Sequence, residues 1–139
     1  MVRSRGWKLG TSMNPAAKEY WCDGGCTGNG TDHPHAYGSF TDKGETIWAY
    51  KWTDARTSNE AEYMTLQQLL RMLAVPIPPE KGPIIHLDSR LLVEQIMGRW
   101  KLKAKHLKEL KDDCQKLVRE KSVTLVWTPR NEIVEVLGH

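Results

Sequence analysis

Downstream of Pro76, Pro78 and Pro79 lies Ile84-Ile-His-Leu-Asp88, a short run that is apolar at nearly every position. A strand that is solvated on one side alternates apolar with polar residues. One that is apolar throughout is covered on both faces and belongs inside a parallel sheet. Just before it, Glu62, Leu66, Leu69, Leu70 and Leu73 carry the spacing of an amphipathic helix, which Ser58 or Asn59 can cap. Earlier still, residues 19–23, 36–41 and 46–53 read as strands, the last two joined by a tight turn at Asp42-Lys-Gly44. Three strands in a meander, then a helix, then a buried strand imply a right-handed crossover that sets Ile84–Asp88 parallel to the first strand. The fold class is therefore α/β with a mixed sheet.

Beyond Asp88, Ser89 can cap a helix carrying Leu91, Leu92, Gln95 and Ile96 and ending at Gly98. A linker, Trp100-Lys-Leu-Lys103, precedes a second helix through Leu107, Leu110, Cys114, Leu117 and Val118. Ser122 to Trp127 reads as a fifth strand. After Thr128-Pro129-Arg130 the chain turns, and Asn131 is expected to cap a short final helix with Ile133, Val134 and Leu137 inward and Glu135 beside them. Residues 1–17 show no periodicity and read as a tail, leaving 18–139 as one domain, long enough to bury a core unaided.

With no apolar run near the roughly 20 residues a bilayer span requires, an integral membrane protein is excluded. The basic N-terminus has no apolar run behind it, so a cytoplasmic location is expected. Cys22, Cys26 and Cys114 are odd in number and lack a second metal-spaced pair, so free thiols are expected rather than disulfides or zinc. His33-Pro-His35 reads as an exposed turn, and His86 as a hydrogen-bonded core histidine.

The chemistry lies in the carboxylates. Asp23 ends an apolar strand and opens into Gly24-Gly25-Cys26 and on to Asn29-Gly30, backbone that can bend and approach a ligand closely. Asp88 ends the strand parallel to it, where open α/β sheets place their ligands. Glu62 sits in line with the leucines of its helix and needs a partner, whereas Glu60 falls off that stripe and should face water. Carboxylates so gathered repel unless cations neutralise them. Hard oxygen donors suit Mg²⁺ or Mn²⁺, and two such ions can activate a water and stabilise the leaving oxygen of a phosphodiester. From Arg99 to Lys111 there are six basic residues and His106 against the single acid Glu109, a cluster that could meet phosphates.

Four stretches, Trp21-Cys-Asp-Gly-Gly-Cys-Thr-Gly-Asn29, Thr57-Ser-Asn-Glu-Ala-Glu-Tyr63, Leu87-Asp-Ser-Arg-Leu-Leu-Val-Glu-Gln95 and Pro129-Arg-Asn131 with Glu135, resemble in order the motifs of type 1 ribonuclease H. The resemblance spans roughly residues 19 to 138. It implies a three-layer fold whose five-stranded mixed sheet has the order 3-2-1-4-5, and metal-dependent cleavage of the RNA strand of RNA/DNA hybrids. It also implies Asp23 as the carboxylate shared by two metal ions, with Glu62 and Asp88 as the remaining main ligands. Glu135 takes the place of the fourth catalytic and metal-binding carboxylate, where the family usually has aspartate, so an altered metal preference, towards Mn²⁺, is expected. Gly24, Gly25, Cys26 and Gln95 resemble contacts to the RNA strand, and Asn29 and Asn59 resemble minor-groove contacts. Trp100, Lys101, Lys103 and Lys105 would meet DNA-strand phosphates, as in shorter members lacking the basic protrusion, and Arg130 would contact a substrate phosphate, with Asn131 beside it also binding substrate. A monomer without a small-molecule cofactor is expected. Two other readings fit the same residues: a hybrid-binding module of the same fold that cuts weakly or not at all, and a nuclease of the same fold acting on DNA.

Overall fold

The computed structural model describes residues 19–28, 32–42, 47–73 and 82–138. Strands β1 (Glu19–Thr27), β2 (His35–Thr41) and β3 (Ile47–Trp52) are followed by helix α1 (Ser58–Met72) and strand β4 (Ile84–Leu87). Helix α2 (Arg90–Ile96), a 3₁₀ turn at Lys105–Leu107, α3 (Lys108–Glu120), β5 (Thr124–Trp127) and α4 (Arg130–Leu137) complete the chain. The sheet order is β3-β2-β1-β4-β5, with β2 antiparallel to β1 and β3, and with β1, β4 and β5 parallel. This is the predicted topology. The expected tail, Lys43 and Gly44 of the expected turn, and the prolines at 76, 78 and 79 lie outside the described residues.

Alternation along β1 builds the layers. Tyr20 and Cys22 face one way into the main core, which α1 supplies with Leu66, Leu69 and Leu70 and α3 with Cys114. Trp21 faces the other way and packs against Ile133 and Leu137 of α4. Helices thus cover both faces of the central strand, and Asp23, two residues beyond Trp21, opens on the α4 side.

Helix α1 sits unusually close to the sheet because it rests on glycine. Gly24 and Gly38 are cross-strand partners. A Cβ on Gly24 would lie 2.9 Å from the Ala61 carbonyl oxygen and from Cα of Glu62, and one on Gly38 would overlap the Thr65 hydroxyl. Thr65 is itself fixed, donating to the Ala61 carbonyl at 2.7 Å and accepting from Trp52 Nε1 at 2.8 Å. At the far end of α1, the buried Lys121 ammonium donates to the Leu70 carbonyl at 2.6 Å, which otherwise receives only a long 3.4 Å bond from the Leu73 N–H, and to the Arg71 carbonyl at 3.3 Å.

Several local expectations are corrected. Strand β1 does not stop at Asp23; Gly24 to Thr27 go on pairing with Gly38 to His35 of β2 after β4 has ended, so the antiparallel ladder to β2 outweighs the poor strand propensity of Gly24-Gly25. The N-cap of α1 is Thr57, not Ser58 or Asn59. Its Oγ1 accepts from the Glu60 N–H at 3.2 Å, and Glu60 Oε1 accepts from the Arg56 N–H, also at 3.2 Å. Glu60 is therefore half-buried in a capping-box arrangement rather than facing water. Leu91 is exposed, and Val93 takes the buried place expected for it. Helix α4 starts after Pro129 with no side-chain cap, leaving Asn131 exposed inside the first turn and Val134 only half-buried. All three cysteines are free, as expected. No helix among the described residues is long and apolar enough to cross a membrane.

Candidate active site

The pairing of β1 with β4 ends at Cys22 opposite Leu87, so the next residues, Asp23 and Asp88, emerge side by side at the same end of the sheet. The glycine seat brings the second turn of α1 over the same point and delivers Glu62. Asp23 is only 3% exposed. Helix α4 contributes the fourth charge. Arg130 Nη1 lies 3.3 Å from Asp23 Oδ1 and 2.8 Å from Asp88 Oδ2, so one nitrogen serves both carboxylates. The hydrogen bond to Asp88, then the Asp23 charge, raise the Arg130 pKa above its ordinary value.

Glu62 is left out of this pairing. Among the described residues its carboxyl is acted on by burial and by charges and by no side-chain hydrogen bond. Burial, then the charges of Asp88 and Asp23, push its pKa up to about 8, with Arg130 pulling the other way. The buried Cys22 thiol is also raised well above its usual value, by burial and then by Asp23, Glu62 and Asp88. Two separate groups, Glu62 and Cys22, therefore sense both Asp23 and Asp88. A half-buried carboxyl without a partner costs stability, and such frustration collects at functional sites. Glu135 is not among the charges acting on Glu62; it lies on the exposed face of α4.

These donors suit a hard divalent cation in kind and charge. Among the described residues, however, no group of three His, Cys, Asp or Glu side chains is gathered as a metal site. The guanidinium of Arg130 joins Asp23 to Asp88, and Glu62 stands beside that pair.

A groove of about 590 Å³ runs between the first turn of α1 and the α2–α3 connection. It is lined by Asn59, Gln95, Trp100, Lys101 and Lys103, five residues expected to meet substrate, together with Leu91, Arg99, Leu102 and Ala104. Asn59 lies one helical turn before Glu62, so the groove leads from the carboxylates. Gln95 is 5% exposed, its Oε1 accepting from the Tyr63 hydroxyl at 2.9 Å. Trp100 is 44% exposed, with the Arg90 guanidinium 5.7 Å from its ring centre. The basic run is thinner than its composition implies. Arg99 pairs with Glu94, and Lys108 and Lys111 pair with Asp112. Lys101, Lys103 and Lys105 carry no ion pair among the described residues.

Gly24 and Gly25 lie within β1, Cys26 donates weakly to the Thr27 carbonyl at 3.4 Å, and Asn131 is exposed. Asn29 lies outside the described residues. Two aromatic residues flank the site unforeseen. Trp127, 48% exposed, donates from Nε1 to the Asp88 carbonyl at 3.2 Å. Tyr37, 42% exposed, lies across Gly25 with its phenol where a Cβ there would sit. Trp127 is the last residue of β5, and Tyr37 lies near the start of β2 opposite Gly25, a signal that alternation carries once register is known.

The profile of a family described as reverse transcriptase-like matches residues 40–136, more than half of the chain. That span includes Glu62, Asp88, Arg130 and Glu135 and begins after Asp23. Among solved structures, the chain is similar to LC11 ribonuclease H1 in complex with an RNA/DNA hybrid, at 26% identity and a TM-score of 0.65, covering 84% of this chain and 88% of that one. The chain belongs to the type 1 ribonuclease H family. A further likeness is to the N-terminal ribonuclease H domain of a Mycobacterium tuberculosis protein, at 27% identity and a TM-score of 0.62, covering 84% and 91%. Ribonuclease H1 of the halophilic archaeon Halobacterium salinarum shares the fold at 22% identity and a TM-score of 0.63, covering 83% and 87%. The five-stranded sheet and its flanking helices are those of this family of nucleases.

Proposed function

We propose that this ribonuclease H-like chain hydrolyses the RNA strand of RNA/DNA hybrids, using two divalent ions, Mg²⁺ or Mn²⁺, and leaving 5′-phosphate and 3′-hydroxyl ends. The observation that carries this reading is the meeting of Asp23, Glu62 and Asp88 at one sheet end, close enough that the charges of Asp88 and Asp23 both act on Glu62 and all three act on Cys22. Ions bound there would activate a water and neutralise charge on the leaving oxygen. Asp23 and Asp88 supply oxygens from the sheet and Glu62 supplies them from α1. Arg130, released from the two aspartates, is long enough to hold a phosphate oxygen. The groove binds the duplex. Asn59 and Gln95 offer polar contacts suited to 2′-hydroxyls in a wide minor groove, and Trp100, Lys101 and Lys103 offer ring and charge to the opposite backbone.

Cleavage of a labelled hybrid, compared with duplex DNA and duplex RNA in Mg²⁺ and in Mn²⁺, tests the reading. Wild type should cut only the RNA of the hybrid, and Asp23→Asn should abolish cutting while leaving hybrid affinity largely intact. Cleavage of duplex DNA instead would transfer the assignment to a DNA-acting nuclease. The exposed position of Glu135, outside the charges that act on Glu62, favours one second reading, a hybrid-binding module with weak catalysis. Under that reading wild type binds hybrid without cutting it, and Glu135→Asp raises the cutting rate.

A further inference from the structure

Helix α4 opens with a difficulty. Arg130 is its first residue, no side chain caps it, and yet its guanidinium must be held against both aspartates. The residue two positions earlier is held by both its backbone and its hydroxyl. Thr128 is 6% exposed, its N–H donates to the Leu87 carbonyl at 2.8 Å, and its hydroxyl lies 2.8 Å from His86 Nδ1 and 3.4 Å from the Val126 carbonyl. The other ring nitrogen of His86 lies 2.8 Å from Glu19 Oε2. The imidazole stacks on Trp21, with ring centres 4.9 Å apart and planes 8° from parallel. Glu19, His86 and Thr128 thus form a continuous hydrogen-bonded row from β1 across β4 to the turn before α4.

We infer that Glu19, His86 and Thr128 are positioning residues that anchor the β5–α4 turn and thereby aim Arg130 at Asp23 and Asp88. The inference rests on the role given to Arg130 in the proposed reaction. The row superficially has the order acid, imidazole, hydroxyl of a nucleophilic triad. Thr128 is buried beneath α4 with its oxygen engaged by His86, so it has no access to a substrate and its work is geometric. With Nε2–H donating to Glu19, Nδ1 accepts from the Thr128 hydroxyl, and no proton has to move. Misplacing a charged group by about 1 Å can cost about a hundredfold in rate, so an anchor remote from the reacting atoms can control kcat.

Thr128→Val keeps shape and burial but removes the hydroxyl. It should lower kcat for hybrid cleavage about ten- to a hundredfold with little change in KM, and Thr128→Ser should restore most of it. Combined with Arg130→Ala, Thr128→Val should add no further loss, because its effect runs through Arg130. An undiminished loss in the Arg130→Ala background, or wild-type kcat in Thr128→Val alone, would overturn the inference. Should Thr128→Val not fold, Glu19→Ala carries the same cycle from a side chain that is 42% exposed. If wild type cuts no hybrid, the proposed function has failed separately. The anchor is then read from ¹⁵N relaxation of the Arg130 guanidinium: greater mobility in the variant supports it, and equal mobility refutes it.

Discussion

Two rows of polar side chains cross the same three elements, one level apart. The lower row joins Glu19 on β1, His86 on β4 and Thr128 after β5, and each link is a hydrogen bond of 2.8 Å. The upper row places Asp23 on β1, Asp88 after β4 and Arg130 on α4, then adds Glu62 from α1, a third carboxylate for one guanidinium. The lower row is satisfied and balanced. The upper is short of positive charge, and Glu62 shows it by holding a proton up to a pH of about 8. Neighbouring sites with the same scaffold can therefore have opposite purposes. One spends its polar groups on fixing backbone, and the other keeps unspent charge for a ligand.

The sharpest way to break the comparison is to remove a charge from each row. Asp88→Asn should reduce hybrid cleavage by about a thousandfold or more, since several kcal/mol of charge stabilisation are lost. Its thermal midpoint should change little, because Arg130 keeps its ion pair with Asp23. A large drop in both activity and midpoint would mean that the upper row is structural like the lower one.

Next in size is the glycine seat that brings Glu62 into the upper row. Gly38→Ala forces α1 away from the sheet at Thr65 and should destabilise the chain by about 1–3 kcal/mol in denaturant titration. Cleavage should fall further than stability explains, because the same shift withdraws Glu62.

A smaller effect sharpens the electrostatic claim. Between the ordinary carboxyl pKa of 4.5 and about 8, the folded chain keeps a proton on Glu62 that the unfolded chain has released. Stability in the presence of a chelator should therefore decline as pH rises through that window and level off above it. Glu62→Gln should remove that decline. A stability that increases with pH over the same range would contradict the charge deficit.

The smallest effect concerns the groove. Counter-ion release gives a slope of log affinity against log salt of roughly −0.9 per neutralised phosphate, so Lys101, Lys103 and Lys105 together account for roughly −2.7. Replacing all three by alanine should flatten the salt dependence of hybrid binding by that amount. An unchanged slope would place the duplex elsewhere.

The topology was legible because patterning and chain order constrain it tightly. An apolar Ile84–Leu87 following an amphipathic helix has few alternatives, and from it follows the meeting of Asp23 and Asp88. Glu62 was legible from its place among leucines. What escaped depended on contacts between segments remote in sequence. The continuation of β1 through Gly24 and Gly25 is decided by its pairing with β2, not by propensity. Thr57 prevails over Ser58 and Asn59 as cap because Glu60 is three residues beyond it, a relation present in the sequence and overlooked. The ion pairs that quench Arg99, Lys108 and Lys111 could not be counted from a basic run alone. His86 was expected as a hydrogen-bonded histidine, but its partners, Glu19 and Thr128, become visible only when the three strands are set in register.

The double ion pair of Arg130 has a consequence for how any incoming ion behaves. Asp23 and Asp88 already hold a tethered counter-ion, so under the proposed reaction uptake would be a swap and not a simple addition. The affinity would then be a difference between two competitors. The displaced arm, still leashed to the first turn of α4, would be set free at the moment when a backbone oxygen of the nucleic acid arrives needing a positive neighbour.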